Sequence, residues 1–356
     1  MNLRAVLDMV QLRSHLPPLA LTMGEPAGIG PELALKVWQG RETSKTPPFV
    51  LIASAAQMAK CSRQMGFDVI CHKVKTPAEA ADIFPHALPL LALDGDCDVS
   101  PGHLEPTAAS CITGAIETAV KLASCGQVSG IVTNPIHKKN LYDSGFSFPG
   151  HTEFLAHLAN PGGKAPRAVM MLQGGGLRTV PVTIHIALAQ VPAAVTSELI
   201  MQTAEIVHND LVRCFGLAQP RLVVAGLNPH AGEDGALGVE DMAIIKPAVK
   251  TLKSRGLTIR GPLPADTLFH EAARKTYDVA LCMYHDQALI PVKTLGFDTG
   301  VNITLGLHFI RTSPDHGTAL DIAGRGIADP RSLAEALKCA AQMAVCKHNY
   351  LQKAGT

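Results

Sequence analysis

The chain has 356 residues, of which 47% are hydrophobic and 17% charged. It is longer than the length at which one hydrophobic core usually divides, so we expect two domains. Its formal net charge is +1, with basic and acidic residues interspersed, which argues against nucleic acid or an anionic membrane surface and favours a small-molecule partner. The nine cysteines form no Cys-x-x-Cys pair, so we expect reduced thiols in a cytoplasmic, soluble protein.

The first eighteen residues are predicted to be an N-terminal extension. Asp8 and Arg13 interrupt what would have to be the apolar part of a signal peptide, and a small-residue cleavage pattern is missing. Residues 1–18 are therefore left outside the predicted domains.

Short apolar runs bounded by turn residues recur along the chain, and helix-period segments separate them. The runs do not alternate between polar and apolar residues, so they predict mostly buried strands of an α/β fold. They lie at 19–23, 49–54, 88–93, 130–133, 168–172, 180–184, 221–227 and 278–283. Helices are predicted at 107–123, 239–255 and 332–350, and the glycines at 173–177 predict a hairpin or loop.

Polar residues follow four of the predicted strands directly. The strand ends lead to Asn134, His185, Asn228-Pro229-His230 and Tyr284-His285-Asp286. Because open α/β sheets bind ligands beyond the carboxyl ends of their strands, the four ends predict one crevice.

Three of these residues are histidines, at 185, 230 and 285. Neutral imidazoles from separate strand ends can form a three-ligand site with an open position, which suits a catalytic divalent metal. The wide spacing is equally compatible with hydrogen-bonded turn histidines, so the residues alone leave both interpretations open. The His-Glu-x-x-His pattern of helical zinc proteases is absent from the sequence.

A glycine-containing turn, Met23–Leu33, follows the first strand and enters a helix with Pro31 near its first turn. Such a turn can bring backbone N–H groups to an anion, or it can serve only as a tight connection. It matches neither the Rossmann fingerprint nor a P-loop.

Lys293, Asn302 and Arg311 recur at intervals too wide for one helix face. If the chain folds back, they could converge on a phosphate or carboxylate. Scattered surface charge is the alternative interpretation.

Six long motifs occur in order between about Leu19 and the final helix. They are GEPAGIGPEL, NPIHKKNLYDSGFSFPGHTEFLA, NPHAGEDG, GPLPADTLF, YHDQALIPVKTLGF and VNITLGLHFIRTSPDHGTALDIAGRG. Together they resemble the 4-hydroxythreonine-4-phosphate dehydrogenase family of pyridoxal phosphate biosynthesis. The resemblance implies two α/β domains of the isocitrate/isopropylmalate dehydrogenase type with a cleft between them. The expected domains are 19–135 plus 300–356, and 136–299 with the metal ligands and the dimer interface.

The resemblance also implies a homodimer with its active site at the interface, and roles for particular residues. It makes His185, His230 and His285 the metal ligands. The substrate contacts it implies are His151, Thr152, Lys293, Asn302 and Arg311. Lys293 and Asp266 are both candidates for the general base.

The segment Asp315–Gly324 is similar to the loop with which decarboxylating dehydrogenases hold the adenosine part of their cofactor, although Leu320 replaces a proline. The similarity implies NAD or NADP on four residues, His316, Gly317, Thr318 and Asp321. The implied metal is Zn²⁺, Co²⁺ or Mg²⁺, and three imidazoles favour one of the softer ions.

The activity implied by the resemblance is oxidation of 4-phosphooxy-L-threonine at C3, followed by decarboxylation to 3-amino-2-oxopropyl phosphate. One alternative is a paralogous dehydrogenase acting on a phosphorylated four-carbon sugar acid or a cis-diol dicarboxylate. A metal-dependent hydrolase or lyase, and a catalytically silent binding protein, are the others.

Overall fold

The computed structural model describes residues 16–95, 97–143, 145–146, 148 and 150–355. The expected extension 1–18 therefore lies almost entirely outside the described residues. The chain divides into two compact units. Unit 1 continues to Ala168 and resumes over Leu307–His348, and unit 2 comprises Val169–Gly306 with the residues from Asn349 onwards. Segment 136–168 thus belongs to unit 1 and residues 300–306 to unit 2, so the boundaries differ from those implied by the resemblance.

The strands are short and mostly buried. In chain order they are β1 Leu19–Thr22, β2 Phe49–Ala53, β3 Cys71–Lys73, β4 Leu88–Ala92, β5 Ile131–Thr133, β6 Val169–Gly174, β7 Leu177–Pro181, β8 Leu222–Ala225, β9 Ile259–Leu263, β10 Val279–Cys282, β11 Val301–Leu305 and β12 Arg311–Pro314.

The described residues form thirteen α-helices. In chain order they are α1 Gly30–Gln39, α2 Arg41–Ser44, α3 Ala55–Met65, α4 Ala80–Ile83, α5 Ala109–Ser124, α6 Lys138–Tyr142, α7 His151–Ala159, α8 Val191–Ala194, α9 Ser197–Phe215, α10 Lys246–Ser254, α11 Glu271–Arg274, α12 His285–Gly296 and α13 Arg331–Ala354. Within the described part of the chain, none of them has the length and apolar character needed to cross a bilayer.

Unit 1 contains a parallel sheet with the strand order β3-β4-β2-β1-β5-β12. Every residue of β1 and β2 is buried, which explains why these strands are continuous apolar runs. Helix α3 has a capping side chain at its start and a glycine at its end. In α3 the Ser54 side chain accepts a hydrogen bond from the Gln57 backbone N–H at 3.3 Å, and Gly66 ends the helix in the left-handed region at φ 65°.

In unit 2 the strand order is β11-β6-β7-β10-β8-β9. The pairs β11/β6 and β6/β7 are antiparallel, whereas β7, β10, β8 and β9 run parallel to one another. A hairpin joins β6 to β7 through Gly175 and Gly176, both with positive φ.

The predicted α/β class is confirmed, and all eight predicted strands are present. Seven of them match the observed bounds to within two residues. The run at 180–184 is displaced, since β7 covers Leu177–Pro181 and the chain then turns. The helix predicted over 239–255 begins differently, because its first part, Asp241–Ile245, is a π-helical turn.

Candidate active site

The three predicted metal histidines follow neighbouring parallel strands of unit 2. β10 pairs with β7 on one side and β8 on the other, so His185, His285 and His230 come after strand ends on the same edge of the sheet. β9 continues this parallel set and leads to Asp266, which is exposed in the short turn Ala265–Thr267. The fourth polar strand end, at Asn134, belongs to unit 1.

His185 and His285 lie side by side. Their ring centroids are 5.6 Å apart. The Nδ1 atom of His285 is 2.7 Å from a carboxylate oxygen of Asp286. Because an ionised carboxylate can only accept, Nδ1 is the donor, and in the neutral ring Nε2 then carries the lone pair. A carboxylate on the far nitrogen is the usual arrangement for a metal-binding histidine.

His230 lies in a turn of unusual backbone conformation. The φ angles of His230, Ala231, Gly232, Glu233 and Asp234 all lie between 42° and 81°. A left-handed conformation costs about 1–2 kcal/mol for each residue with a Cβ. Such strain persists only where surrounding contacts impose it, and it concentrates at functional sites.

A buried carboxylate holds the start of this turn. Asp241 is fully buried and accepts hydrogen bonds from the Leu227 N–H at 2.9 Å, the Asn228 N–H at 3.1 Å and the Asn228 Nδ2 at 3.0 Å. The π-helical turn that contains Asp241 therefore has a structural purpose, since it places this carboxylate beneath the strained loop.

The side chains of unit 2 suit a divalent metal held by imidazole nitrogens. His185 and His285 are adjacent, and the Nδ1 atom of His285 is bonded to the Asp286 carboxylate, which leaves Nε2 for a metal. Across the described residues, however, no three His, Cys, Asp or Glu side chains are grouped closely enough to hold a metal. The structure thus brings two of the three predicted ligands together and places His230 on the neighbouring strand end.

Lys293 lies on the same helix as His285. Both residues, with Asp286, line a depression of about 460 Å³ on the surface of α12. They share a face because Leu289 and Lys293 follow His285 at intervals of four residues. Lys293 is half-buried, and so is Asn302, which lies on β11.

Unit 1 contains a buried cation beside an imidazole. Arg311 on β12 is only 4% exposed and donates to Thr133 Oγ1 from Nε at 3.2 Å and from Nη2 at 2.8 Å. Burial lowers the pKa of Arg311 to about 10. Burial, and then the charge of Arg311, hold the pKa of His151 well below its usual value. The Nε2 atom of His151 is buried and has no hydrogen-bond partner among the described residues.

This pair is suited to an anion. The buried guanidinium carries a positive charge on a planar set of N–H donors, and the unsatisfied His151 nitrogen can donate to the same anion when protonated there. Thr152, half-buried in the first turn of α7 beside His151, adds a hydroxyl. A phosphate or a carboxylate fits this donor set.

The loop after β12 packs against the glycine-containing turn that precedes α1. The Ile29 N–H donates to the Thr318 carbonyl at 3.0 Å, and a Cβ at Gly28 would lie 2.7 Å from that oxygen. His316 has its Nδ1 3.0 Å from the Gly317 carbonyl, and its buried Nε2 has no partner in the described part of the chain. The close approach of the Thr318 carbonyl explains why residue 28 must be glycine. The buried Nε2 atom of His316 is suited to a hydrogen bond with a polar ligand such as a dinucleotide. Asp321, the fourth predicted cofactor residue, is exposed.

The glycine-containing turn that precedes α1 also holds a buried acid, Glu25, to which the sequence motifs assigned no role. Glu25 is fully buried, and burial raises its pKa. Its carboxylate accepts from Asn140 Nδ2 at 3.2 Å and from the Ala27 N–H at 3.3 Å. Neither periodicity nor charge pattern signals this residue, and only its position between a glycine and a proline marks it.

Comparison with known proteins gives the family. Residues 45–340 match the family described as pyridoxal phosphate biosynthetic protein PdxA. The 4-hydroxythreonine-4-phosphate dehydrogenase of Methylorubrum extorquens (strain PA1) is 54% identical over 330 residues, which cover 92% of this chain and 94% of that protein. This chain is thus an α/β protein that is similar over most of its length to a dehydrogenase. The chain belongs to the PdxA family.

Two solved structures are similar over most of the chain. The 4-hydroxythreonine-4-phosphate dehydrogenase of Klebsiella pneumoniae is 36% identical with a TM-score of 0.82, covering 92% of this chain and 99% of that one. A terephthalate 1,2-cis-dihydrodiol dehydrogenase from Burkholderia xenovorans LB400 is 30% identical with a TM-score of 0.63, covering 92% and 98%.

Proposed function

We propose that this chain is an NAD(P)- and divalent-metal-dependent dehydrogenase of pyridoxal 5'-phosphate biosynthesis. It oxidises the C3 hydroxyl of 4-phosphooxy-L-threonine to a ketone, and two electrons and one proton pass to the nicotinamide as hydride. The resulting β-keto acid loses CO₂ and gives 3-amino-2-oxopropyl phosphate. The observation that carries this proposal is the alignment of three histidines on adjacent parallel strand ends, in a chain 54% identical to a relative of that name.

His185, His230 and His285 would hold the metal. When bound, a divalent metal supplies Lewis acidity to the reacting oxygen. Because neutral imidazoles leave its charge undiminished, this ligand set is suited to stabilising negative charge on oxygen. Asp286 fixes the tautomer of the neutral His285 ring, in which the Nε2 lone pair points away from Asp286 and is available to a metal.

Residues other than the metal ligands must bind the charged ends of the substrate. We assign the phosphate and the other polar groups to Arg311, His151, Thr152 and Asn302. Arg311 gives a planar fork whose orientation Thr133 fixes. Fixing both ends of a small substrate presents C3 in one orientation, and orientation of this kind contributes strongly to rate.

A proton must leave the C3 hydroxyl during oxidation. Lys293 and Asp266 remain the candidates, and Lys293 is favoured because it lines the same depression as His285, whereas Asp266 is exposed. Lys293→Met should lower kcat more than it raises KM, and Asp266→Asn should have the smaller effect. Near-normal turnover of Lys293→Met with weaker substrate binding would overturn this assignment.

NAD or NADP would be held by His316, Gly317, Thr318 and Asp321. The hydride chemistry belongs to the cofactor. The chain supplies the binding loop for the cofactor. The turn at Gly28 packs against Thr318 of that loop, and the buried Nε2 atom of His316 is available to a polar group of the cofactor.

We further propose a cytoplasmic homodimer with the active site at its interface. Exposed apolar side chains support a second copy on the α12 side of unit 2, since Ile290 is 63% and Phe297 75% exposed and both line the depression that contains His285 and Lys293. Apolar exposure of this kind next to functional residues is typical of a subunit interface.

The direct test follows reduced nicotinamide by absorbance with 4-phosphooxy-L-threonine as substrate. NAD⁺ and NADP⁺ are supplied in parallel, each with Zn²⁺, Co²⁺, Mg²⁺ or a chelator. Metal-dependent reduction with release of CO₂ is expected. An absence of nicotinamide reduction under every metal, with CO₂ or phosphate released, would favour a hydrolase or lyase instead.

A second candidate is a dehydrogenase for a cis-diol dicarboxylate or a phosphorylated four-carbon sugar acid. The dihydrodiol dehydrogenase similarity favours the first of these, and a buried arginine such as Arg311 binds a carboxylate as well as a phosphate. The same assay separates them, because the true substrate will have the highest kcat/KM among 4-phosphooxy-L-threonine, phosphorylated erythronate and a cis-dihydrodiol dicarboxylate.

A further inference from the structure

One side chain connects two of the histidine-bearing strand ends. The Gln287 Nε2 donates to the Gly226 carbonyl at 2.8 Å, and its Oε1 accepts from the Met283 N–H at 2.7 Å. Gly226 follows β8 and precedes the turn with His230, whereas Met283 follows β10 and precedes His285. Gln287 thus bridges the two ends.

The third strand end is bonded to the same residue, Met283, through its carbonyl group. Thr183, which follows β7 and precedes His185, donates to the Met283 carbonyl from Oγ1 at 2.7 Å and from its N–H at 3.2 Å. The registered pairing of β10 with β7 ends at Cys282. Beyond this point the main chain continues with the bond from the Thr183 N–H to the Met283 carbonyl, and the side chains of Gln287 and Thr183 add further hydrogen bonds between the strand ends.

The hydrogen bond from Gln287 to the Gly226 carbonyl also constrains the turn that packs on Gly226. A Cβ at Gly226 would lie 2.8 Å from Ala231 Cα and 2.9 Å from an Asp241 carboxylate oxygen. The left-handed turn therefore packs directly on Gly226, so a displacement of this residue must displace the turn that contains His230.

We propose that Gln287 is a positioning residue that sets the spacing of the three imidazoles through Gly226 and Met283, with Thr183 as its partner on the third strand end. This inference rests on the proposed metal role of those histidines. The requirement is chemical: the side chain must donate to a carbonyl and accept from an N–H at once. Glutamate has the same length, but when ionised it has no donor, so it would set an oxygen against the Gly226 carbonyl.

The test measures Co²⁺ binding to the full chain by calorimetry and by visible absorption, which reports ligand geometry. Outer-shell partners of metal ligands are worth about 10–100-fold in affinity, so Gln287→Glu should raise the Kd for Co²⁺ by at least about tenfold and alter the spectrum. Thr183→Val is nearly isosteric and should raise the Kd in the same direction. The Thr183→Val variant therefore tests the same proposal if Gln287→Glu does not fold.

Gln57→Glu is the matched control. Gln57 lies in unit 1, where its side chain donates to the Pro26 and Val99 carbonyls and accepts from the Val99 N–H. Gln57→Glu therefore disturbs a comparable set of hydrogen bonds around a buried glutamine. Its Co²⁺ affinity should equal that of the wild type. Wild-type affinity and spectrum in Gln287→Glu and Thr183→Val would overturn the positioning role while leaving the proposed function intact. A wild-type chain that takes up no Co²⁺ would overturn the metal site and this inference with it.

Discussion

The Nδ1 atom of His285 lies 2.7 Å from the Oδ1 atom of Asp286, and the His285 ring is 5.6 Å from that of His185. An exposed carboxylate, with 70% of its side chain accessible, therefore orients an imidazole that faces a second imidazole. This relationship distinguishes His285 from a histidine that merely ends a strand.

Removing the carboxylate should weaken metal binding without unfolding the protein. Asp286→Ala is expected to raise the Kd for Co²⁺ by about 10–100-fold, because the imidazole loses the partner that fixes its tautomer. Asp298→Ala, in the exposed turn after α12, is the control and should bind Co²⁺ normally. Equal affinity in both variants would show that Asp286 does not act on the site.

The buried arginine of unit 1 should not tolerate lysine. Arg311→Lys loses the planar fork on Thr133, and we expect kcat/KM for 4-phosphooxy-L-threonine to fall by roughly 10–100-fold, equivalent to about 1.5–3 kcal/mol for a lost charged hydrogen bond. Most of the loss should appear in KM. Arg221→Lys alters an exposed ion pair with Asp278 and should leave kcat/KM unchanged. A similar loss in both variants would point to general destabilisation.

The pH dependence of stability follows from His151. Its pKa in the folded protein is well below the ordinary value of 6.5 because it is buried and lies near Arg311. As pH falls below 6.5, the unfolded chain therefore binds a proton that the folded chain does not, and stability decreases. His151→Gln should reduce the fall in Tm over this interval, whereas His103→Gln, at an exposed position of the same unit, should not. Parallel Tm curves for His151→Gln and wild type would contradict this origin.

Asp241 should contribute strongly to stability. Asp241→Asn places an amide group against backbone N–H donors at a fully buried position, and we expect a loss of about 2–4 kcal/mol in the free energy of unfolding by urea. Asp234→Asn is a control in the same left-handed turn, because Asp234 is exposed and asparagine accepts that conformation. It should change stability by no more than about 0.5 kcal/mol.

The strands that could be predicted are those with enough apolar character to mark them locally. Those that were missed are β3, β9, β11 and β12, and the composition of β3, β9 and β12 explains why. β3 is the short, largely exposed Cys71–Lys73, β9 contains Gly261-Pro262, and β12 reads Arg-Thr-Ser-Pro. Their pairing partners, more than their own sequence, place them in a sheet.

The positions of the histidines after strands were predictable from the sequence, whereas their spatial arrangement was not. Histidines after strands could be read from the sequence, but the adjacency of β7, β10 and β8 depends on long-range pairing, which local periodicity does not encode. The left-handed turn at His230 and the carboxylate of Asp241 were also missed. The sequence there suggested a continuous helix from residue 239, whereas the π-helical turn depends on the hydrogen bonds that Asp241 makes to Leu227 and Asn228.

The central claim is that three strand-end histidines hold a metal that the oxidation requires. The most direct measurement is the rate of nicotinamide reduction with 4-phosphooxy-L-threonine after complete chelation and after return of Co²⁺, in wild type, His230→Ala and His270→Ala, the last an exposed histidine of the same unit. We expect chelation to abolish turnover, and Co²⁺ to restore it in wild type and His270→Ala but not in His230→Ala. Full turnover of the chelated wild type, or of His230→Ala, would contradict the account.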